Sequence, residues 1–260
     1  MKTDRMEGEI QMQKQYFKIY SEHLNRDMEF NVYGHGGKPF VVFPCQDGRF
    51  FDWEGNHMHD EVLGPWIEAG KLQLFCVDSI DKESWSDKFG DCRHRSEMQE
   101  RWFRYVVEEF IPHVKYLNGT GQKIMTTGCS MGASHAVNFM LRRPDIFDGC
   151  IAMSGVYESD DFFGSYMDEL LYQNSPNHYM PNLPKDHYYV DCYNHSNIII
   201  CVGQGAWEDL MIASTRRLEA TFREKGIHAW IDYWGYDVNH DWPWWKVQLP
   251  YFMKHILGEP

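Results

Sequence analysis

Ser130 stands between two glycines in Gly128-Cys129-Ser130-Met131-Gly132. A serine hydroxyl held out on a sharp turn can attack a carbonyl carbon, provided a base takes its proton. Three fixed positions in five recur by chance, so the flanks decide what the motif means. Lys123 to Thr127 has strand length, and the residues from Met131 onward have helical patterning. A strand-to-helix turn of this kind lifts the serine to a sheet edge. It also sets the Met131 N–H at a helix start, facing any developing oxyanion. The competing reading is a tight glycine turn around an inert serine. Cys129 offers a thiol beside Ser130, but the turn aims its central residue, so Cys129 is expected to pack.

The turn predicts the chain order serine, acid, histidine. His240, in "YDVNHDWPWW", falls between the last strand and the last helix, where a general base is needed. His135 lies on the helix after the turn and is expected to pack. His178, His187, His195, His228 and His255 read as surface or packing residues. The acid should follow the apolar run Asn197 to Gly203. The loop there, "QGAWED", offers Glu208 and Asp209. One would orient the imidazole, and the other would cap or begin the next helix. A second oxyanion donor should come from "PCQDGRFFDWEG", with the backbone N–H groups of Asp47, Gly48 and Arg49 as candidates. Trp53, Trp207 and Trp242 are candidate pocket residues. With Trp244 and Trp245 they form an aromatic set that could equally be core.

Positioning such groups takes a sheet. Apolar strand-length runs at Phe40 to Pro44, Leu72 to Asp78, Gly149 to Gly155, Asn197 to Gly203 and His228 to Gly235 alternate with helical stretches. Helices are expected at Met98 to Leu117, after Met131, from Asp209 to a closing Gly226, and from Trp244 to Leu257. The alternation predicts an α/β fold: a mostly parallel central sheet with helices on both faces, in one domain over residues 1–260. The segment 156–196 breaks the rhythm with Tyr, Asp, Asn and Pro. It reads as a cap-like insertion over the C-terminal edge of the sheet, with one helical piece near Tyr166 to Tyr172.

Composition narrows the partners. The 260 residues carry a formal net charge of -13, which disfavours nucleic acid and anionic membrane surfaces. The N-terminal residues show no apolar leader pattern, and no run reaches the ~18 residues of a spanning helix. Seven cysteines without a Cys-x-x-Cys suit free thiols in a reducing cytoplasm. "NHMHD" (residues 56–60) holds two histidines, but i,i+2 side chains do not share a face, so a solvated loop is expected there and no metal. No cofactor is called for. A small-molecule ester is the expected partner, and the sequence leaves a homo-oligomer open.

The runs "FPCQDGRFFDWEG", "GCSMGASHAVNFMLRRPDIFDGCIAMSGVY", "VGQGAWEDLM" and "GYDVNHDWPWWKVQLPYF" together resemble the putative-esterase family of α/β-hydrolases. That family includes feruloyl and acetyl-xylan esterases, S-formylglutathione hydrolases, siderophore esterases and mycolyltransferases. The resemblance runs from about Phe30 to Phe252. It implies an α/β-hydrolase fold with Ser130 and His240 in a triad. It favours Glu208, three residues after Gly205, over Asp209, and supports an oxyanion donor in "QDGR". The sequence departs from the family where a glycine is usual two residues before the histidine; here Val238 stands. The implied activity is that of a serine esterase cleaving a carboxylic ester, of a sugar or aryl acid for example, through an acyl-enzyme. The alternatives are an acyltransferase on the same triad and a binding module without catalysis.

Overall fold

A computed structural model describes residues 13–260 of the chain. The stretch read for a leader falls largely on residues 1–12, outside the described residues. Eight strands form one sheet: β1 (Lys14–Ser21), β2 (Arg26–Tyr33), β3 (Lys38–Phe43), β4 (Leu72–Val77), β5 (Ile124–Cys129), β6 (Phe147–Met153), β7 (Asn197–Val202) and β8 (Trp230–Tyr233). Their order is β1-β2-β4-β3-β5-β6-β7-β8. β1 pairs antiparallel with β2, and β2 with β4, while every pairing from β4 through β8 is parallel. This is the mostly parallel α/β sheet expected from the alternation.

Side chains alternate along each strand, so the sheet feeds two cores. From β3, Val41 and Phe43 join one core, where Trp102, Val106, Phe139 and Leu218 cover the sheet. Phe40 and Val42 join the other, with Trp53, Trp66, Trp245 and Phe252. Burial on both faces explains why β4 and β5 contain no exposed residue. Because β3 to β8 run the same way, the chain leaves β3, β4, β5, β6, β7 and β8 along one edge. Ligands bind at that edge in open α/β sheets, and the candidate residues collect there.

Three elements differ from the sequence reading. The β1–β2 hairpin was not foreseen. β1 is an edge strand whose residues stay half-exposed or exposed until Ser21, so it has no apolar run to reveal it. The last helix begins at Trp242, because Asp241 accepts the Trp242 N–H and Pro243 suits the first helical turn. The segment between β6 and β7 is far more helical than one short piece. It contains the helices Asp160–Phe163, Glu169–Gln173, Pro176–Tyr179 and Tyr188–Asn194. Only its first part lies beside Met131, in a small cluster with Trp85, Phe163 and Leu171. Val190 and Tyr193 further along join the main core on the flank of the sheet.

Candidate active site

The turn around Ser130 is built by close approach. A Cβ on Gly128 would come within 2.4 Å of the Gly132 carbonyl carbon, and one on Gly132 within 2.4 Å of the Phe43 carbonyl oxygen. Only hydrogen fits at either position, so both glycines are needed for the helix Met131–Arg142 to start directly against the end of β3. Ser130 itself takes φ 55° and ψ -124°, a backbone region costly for a residue with a Cβ. Its N–H is secured to the Met153 carbonyl at 2.9 Å. Strain held this way aims the hydroxyl outward, away from the core.

His240 Nε2 lies 2.9 Å from Ser130 Oγ. Its Nδ1 faces Glu208 Oε2 at 3.4 Å, a long contact. Two loops zip together to hold this pair. Gly205 N–H donates to the Val238 carbonyl at 2.8 Å, Ala206 N–H to Asn239 Oδ1 at 2.8 Å, and His240 N–H to the Ala206 carbonyl at 3.0 Å. Val238 is buried under this zipper. Glu208 is fully buried, whereas Asp209 is exposed at the first turn of the helix Asp209–Lys225. The structure thus brings Glu208, and not Asp209, to the imidazole. Trp245 meets the His240 ring edge-on at 5.0 Å.

The Met131 N–H opens its helix and has no partner inside it. Of the three expected second donors, Gly48 gives its N–H to the Cys45 carbonyl at 2.8 Å and closes a tight turn, which takes it out of the set. The Cys45 N–H is likewise held by Asp52 Oδ2 at 2.9 Å. The N–H groups of Gln46, Asp47 and Arg49 have no partner among the described residues. Gln46 follows closely on Pro44, whose carbonyl borders Gly132. The sequence reading passed over Gln46, since a turn bond between residues 45 and 48 leaves no mark in composition.

The tryptophans separate. Trp53 is 1% exposed and belongs to the second core, so it is no pocket residue. Trp242 is half-buried and packs edge-on against Trp245 at 5.1 Å. Trp207 is 84% exposed at the mouth of the acid loop, with φ 68°. A wall absent from the sequence reading stands beside Met131, made of Trp85, Phe162 and Phe163. Buried Arg95 secures it by donating to the carbonyls of Ser84, Trp85 and Phe162 at 2.7, 3.0 and 2.9 Å. Its guanidinium also lies 3.9 Å from the centre of the Phe163 ring. The Phe162-Phe163 pair was the only sequence signal for this wall.

Other candidates have structural surroundings. His135 is buried and meets Asp81 at 3.0 Å, tying the loop after β4 to the helix behind Ser130. His57 is exposed next to Asp60, and His59 packs at a tilt against the Tyr33 ring in a helical turn, not the solvated loop expected. Among the described residues no group of three or more His, Cys, Asp or Glu is arranged to hold a metal ion. All seven cysteines are unpaired. Burial pushes the Cys129 thiol well above its ordinary range, which keeps it protonated and a poor nucleophile beside Ser130. Among the described residues no helix is long and apolar enough to cross a membrane.

A family model described as "Putative esterase" matches residues 21–256. No curated protein sequence matches the chain. Among solved structures, a ferulic acid esterase superposes with a TM-score of 0.74 at 16% identity, over 95% of this chain and 98% of the other. An S-formylglutathione hydrolase from Agrobacterium tumefaciens gives 0.70 at 14% identity, covering 95% of each chain. A ferulic acid esterase from Anaeromyces mucronatus gives 0.71 at 11% identity, over 98% and 94%. At these identities the likeness is one of fold, that of the α/β-hydrolases.

Proposed function

The chain belongs to the putative-esterase family, and from that premise we propose that it is a serine esterase using Ser130, His240 and Glu208. The observation that carries the reading is the 2.9 Å approach of His240 Nε2 to the hydroxyl of a serine held at φ 55°. Ser130 Oγ attacks the ester carbonyl carbon while His240 Nε2 accepts its proton. The carbonyl oxygen becomes an oxyanion, and the Met131 N–H with an N–H from Gln46 or Asp47 stabilises it. Collapse breaks the bond to the alcohol oxygen, which leaves with the proton from His240. Water, deprotonated by His240, then attacks the acyl-serine and releases the acid. Glu208 keeps the imidazole oriented and offsets its positive charge.

We assign the substrate to two aromatic surfaces, one packed against Met131 and one at Trp207, the residue before Glu208. The Trp85–Phe162–Phe163 cluster beside Met131 suits an apolar or aryl part of the ester. Trp207 offers a flat exposed face to the other part. A fluorophosphonate probe tests the core of the reading: the wild type should be labelled and Ser130→Ala should not. Equal labelling of both would remove Ser130 from the mechanism.

A further inference from the structure

Glu208 has two carboxylate oxygens, and His240 uses only Oε2. The other, Oε1, accepts a 2.6 Å hydrogen bond from the hydroxyl of Ser154. This contact is much shorter than the 3.4 Å contact to His240, and both partners are fully buried. Ser154 follows β6 directly and has φ 60°, so like Ser130 and Trp207 it is a non-glycine residue held at positive φ. Its N–H is fixed to the Cys201 carbonyl at 2.8 Å. Its Oγ also lies 3.2 Å from Trp245 Nε1.

The direction of each bond in this chain follows from chemistry. An indole N–H can only donate, and an ionised carboxylate can only accept. Trp245 therefore occupies a lone pair of Ser154 Oγ, and the serine proton must point at Glu208. The same Trp245 ring packs edge-on against His240 at 5.0 Å. One tryptophan thus fixes the serine that anchors the acid and also borders the histidine that the acid orients.

We propose that Ser154 is a positioning residue for the reaction, with Trp245 setting the direction of its hydroxyl. Its bond holds the Glu208 carboxyl in place through Oε1 and leaves Oε2 free for His240. The inference rests on the esterase reading of Ser130, His240 and Glu208. Besides His240, Tyr157 and Cys201 lie near enough to Glu208 to feel its charge. Burial pushes both well up, so they remain neutral through the range of an ordinary assay.

The test compares Ser154→Gly, Ser154→Ala and Trp245→Phe with wild type and Ser130→Ala on p-nitrophenyl acetate. Glycine accepts φ 60° without strain, so Ser154→Gly removes the hydroxyl and not the backbone geometry. Losing a hydrogen bond to a charged group should lower kcat about 10- to 100-fold with little change in KM. Trp245→Phe should show a smaller change in the same sense. A folded Ser154→Gly with wild-type kcat would overturn the proposal, as would a loss confined to KM. If instead Ser130→Ala keeps wild-type turnover, the esterase reading itself fails, and this inference with it.

Discussion

Trp207 and Glu208 are adjacent in the chain and opposite in burial: the indole is 84% exposed and the carboxylate 0%. The left-handed backbone at Trp207, φ 68°, turns one side chain to solvent and the next into the site. A large apolar ring left in water at a strained position stabilises nothing in the free protein. Trp207→Ala should leave the melting temperature within a degree or two while raising KM for bulky esters several-fold. KM for acetate esters should hardly move. Trp53→Ala, which opens the second core, should instead cost about 3–5 kcal/mol of stability. Thermal melts and a panel of large and small esters compare the two. Equal KM values across the panel for Trp207→Ala would remove Trp207 from the substrate site.

The pair Glu208 and Asp209 gives the second prediction. In Glu208→Gln the amide can present an N–H to His240 Nδ1. The ring must then carry its proton on Nε2, the nitrogen that should accept from Ser130. A loss of about 10²- to 10⁴-fold in kcat is expected. Asp209→Asn alters only an exposed first-turn carboxylate and should cost at most about 1 kcal/mol of stability, with activity near wild type. Steady-state kinetics on both variants decide, and a reversed order would make Asp209 the acid.

Ser130→Ala should lower kcat by about three orders of magnitude or more. Alanine has the same Cβ as serine, so the strain at φ 55° persists and the melting temperature should stay close to wild type. A variant that melts far lower would mean that the hydroxyl, whose one partner among the described residues is His240, holds the turn together. Circular dichroism melts beside the activity assay separate the two effects.

The geometry of the candidate site was legible where local backbone demands fix residue type. Gly128 and Gly132 cannot carry a Cβ, so the turn around Ser130 wrote itself into the sequence. His240 was legible from its place after the last strand. Glu208 and Asp209 stayed equivalent until the family spacing was applied, because burial, not spacing, separates them. The wall of Trp85, Phe162 and Phe163 was hidden, since Trp85 lies far from the Phe pair in the chain and meets it only in the fold, ring edge against ring at 5.3 and 5.4 Å. Ser154 was hidden for a similar reason: a serine beside a glycine at a strand end looks like any turn. Trp53 misled, because an aromatic residue in a loop that borders the site can still point into the core.

The last prediction concerns Asp168, which places the wall next to Met131. Asp168 caps the helix Glu169–Gln173 by accepting the Leu171 N–H at 2.7 Å, and it also accepts from Ser96 and Tyr166 at 2.7 Å. Leu171 packs in the cluster that contains Met131, Trp85 and Phe163. Burial pushes the Asp168 carboxyl up, but these three donors and the Arg93 guanidinium outweigh it and hold the carboxyl below the ordinary range. A lowered value in the folded state means the stabilisation is present above the unfolded value, about 3.9, and is lost as pH falls through the folded one. Asp168→Ala should therefore cost about 1–2 kcal/mol at neutral pH. The gap from wild type should shrink as the pH is taken below about 4. Urea unfolding of both proteins at pH 7 and pH 3 measures it. Loosening the cap should also raise KM for bulky esters at neutral pH, since Leu171 supports the wall that borders Ser130. A stability gap that is the same at both pH values would mean that Asp168 acts by shape and not by charge.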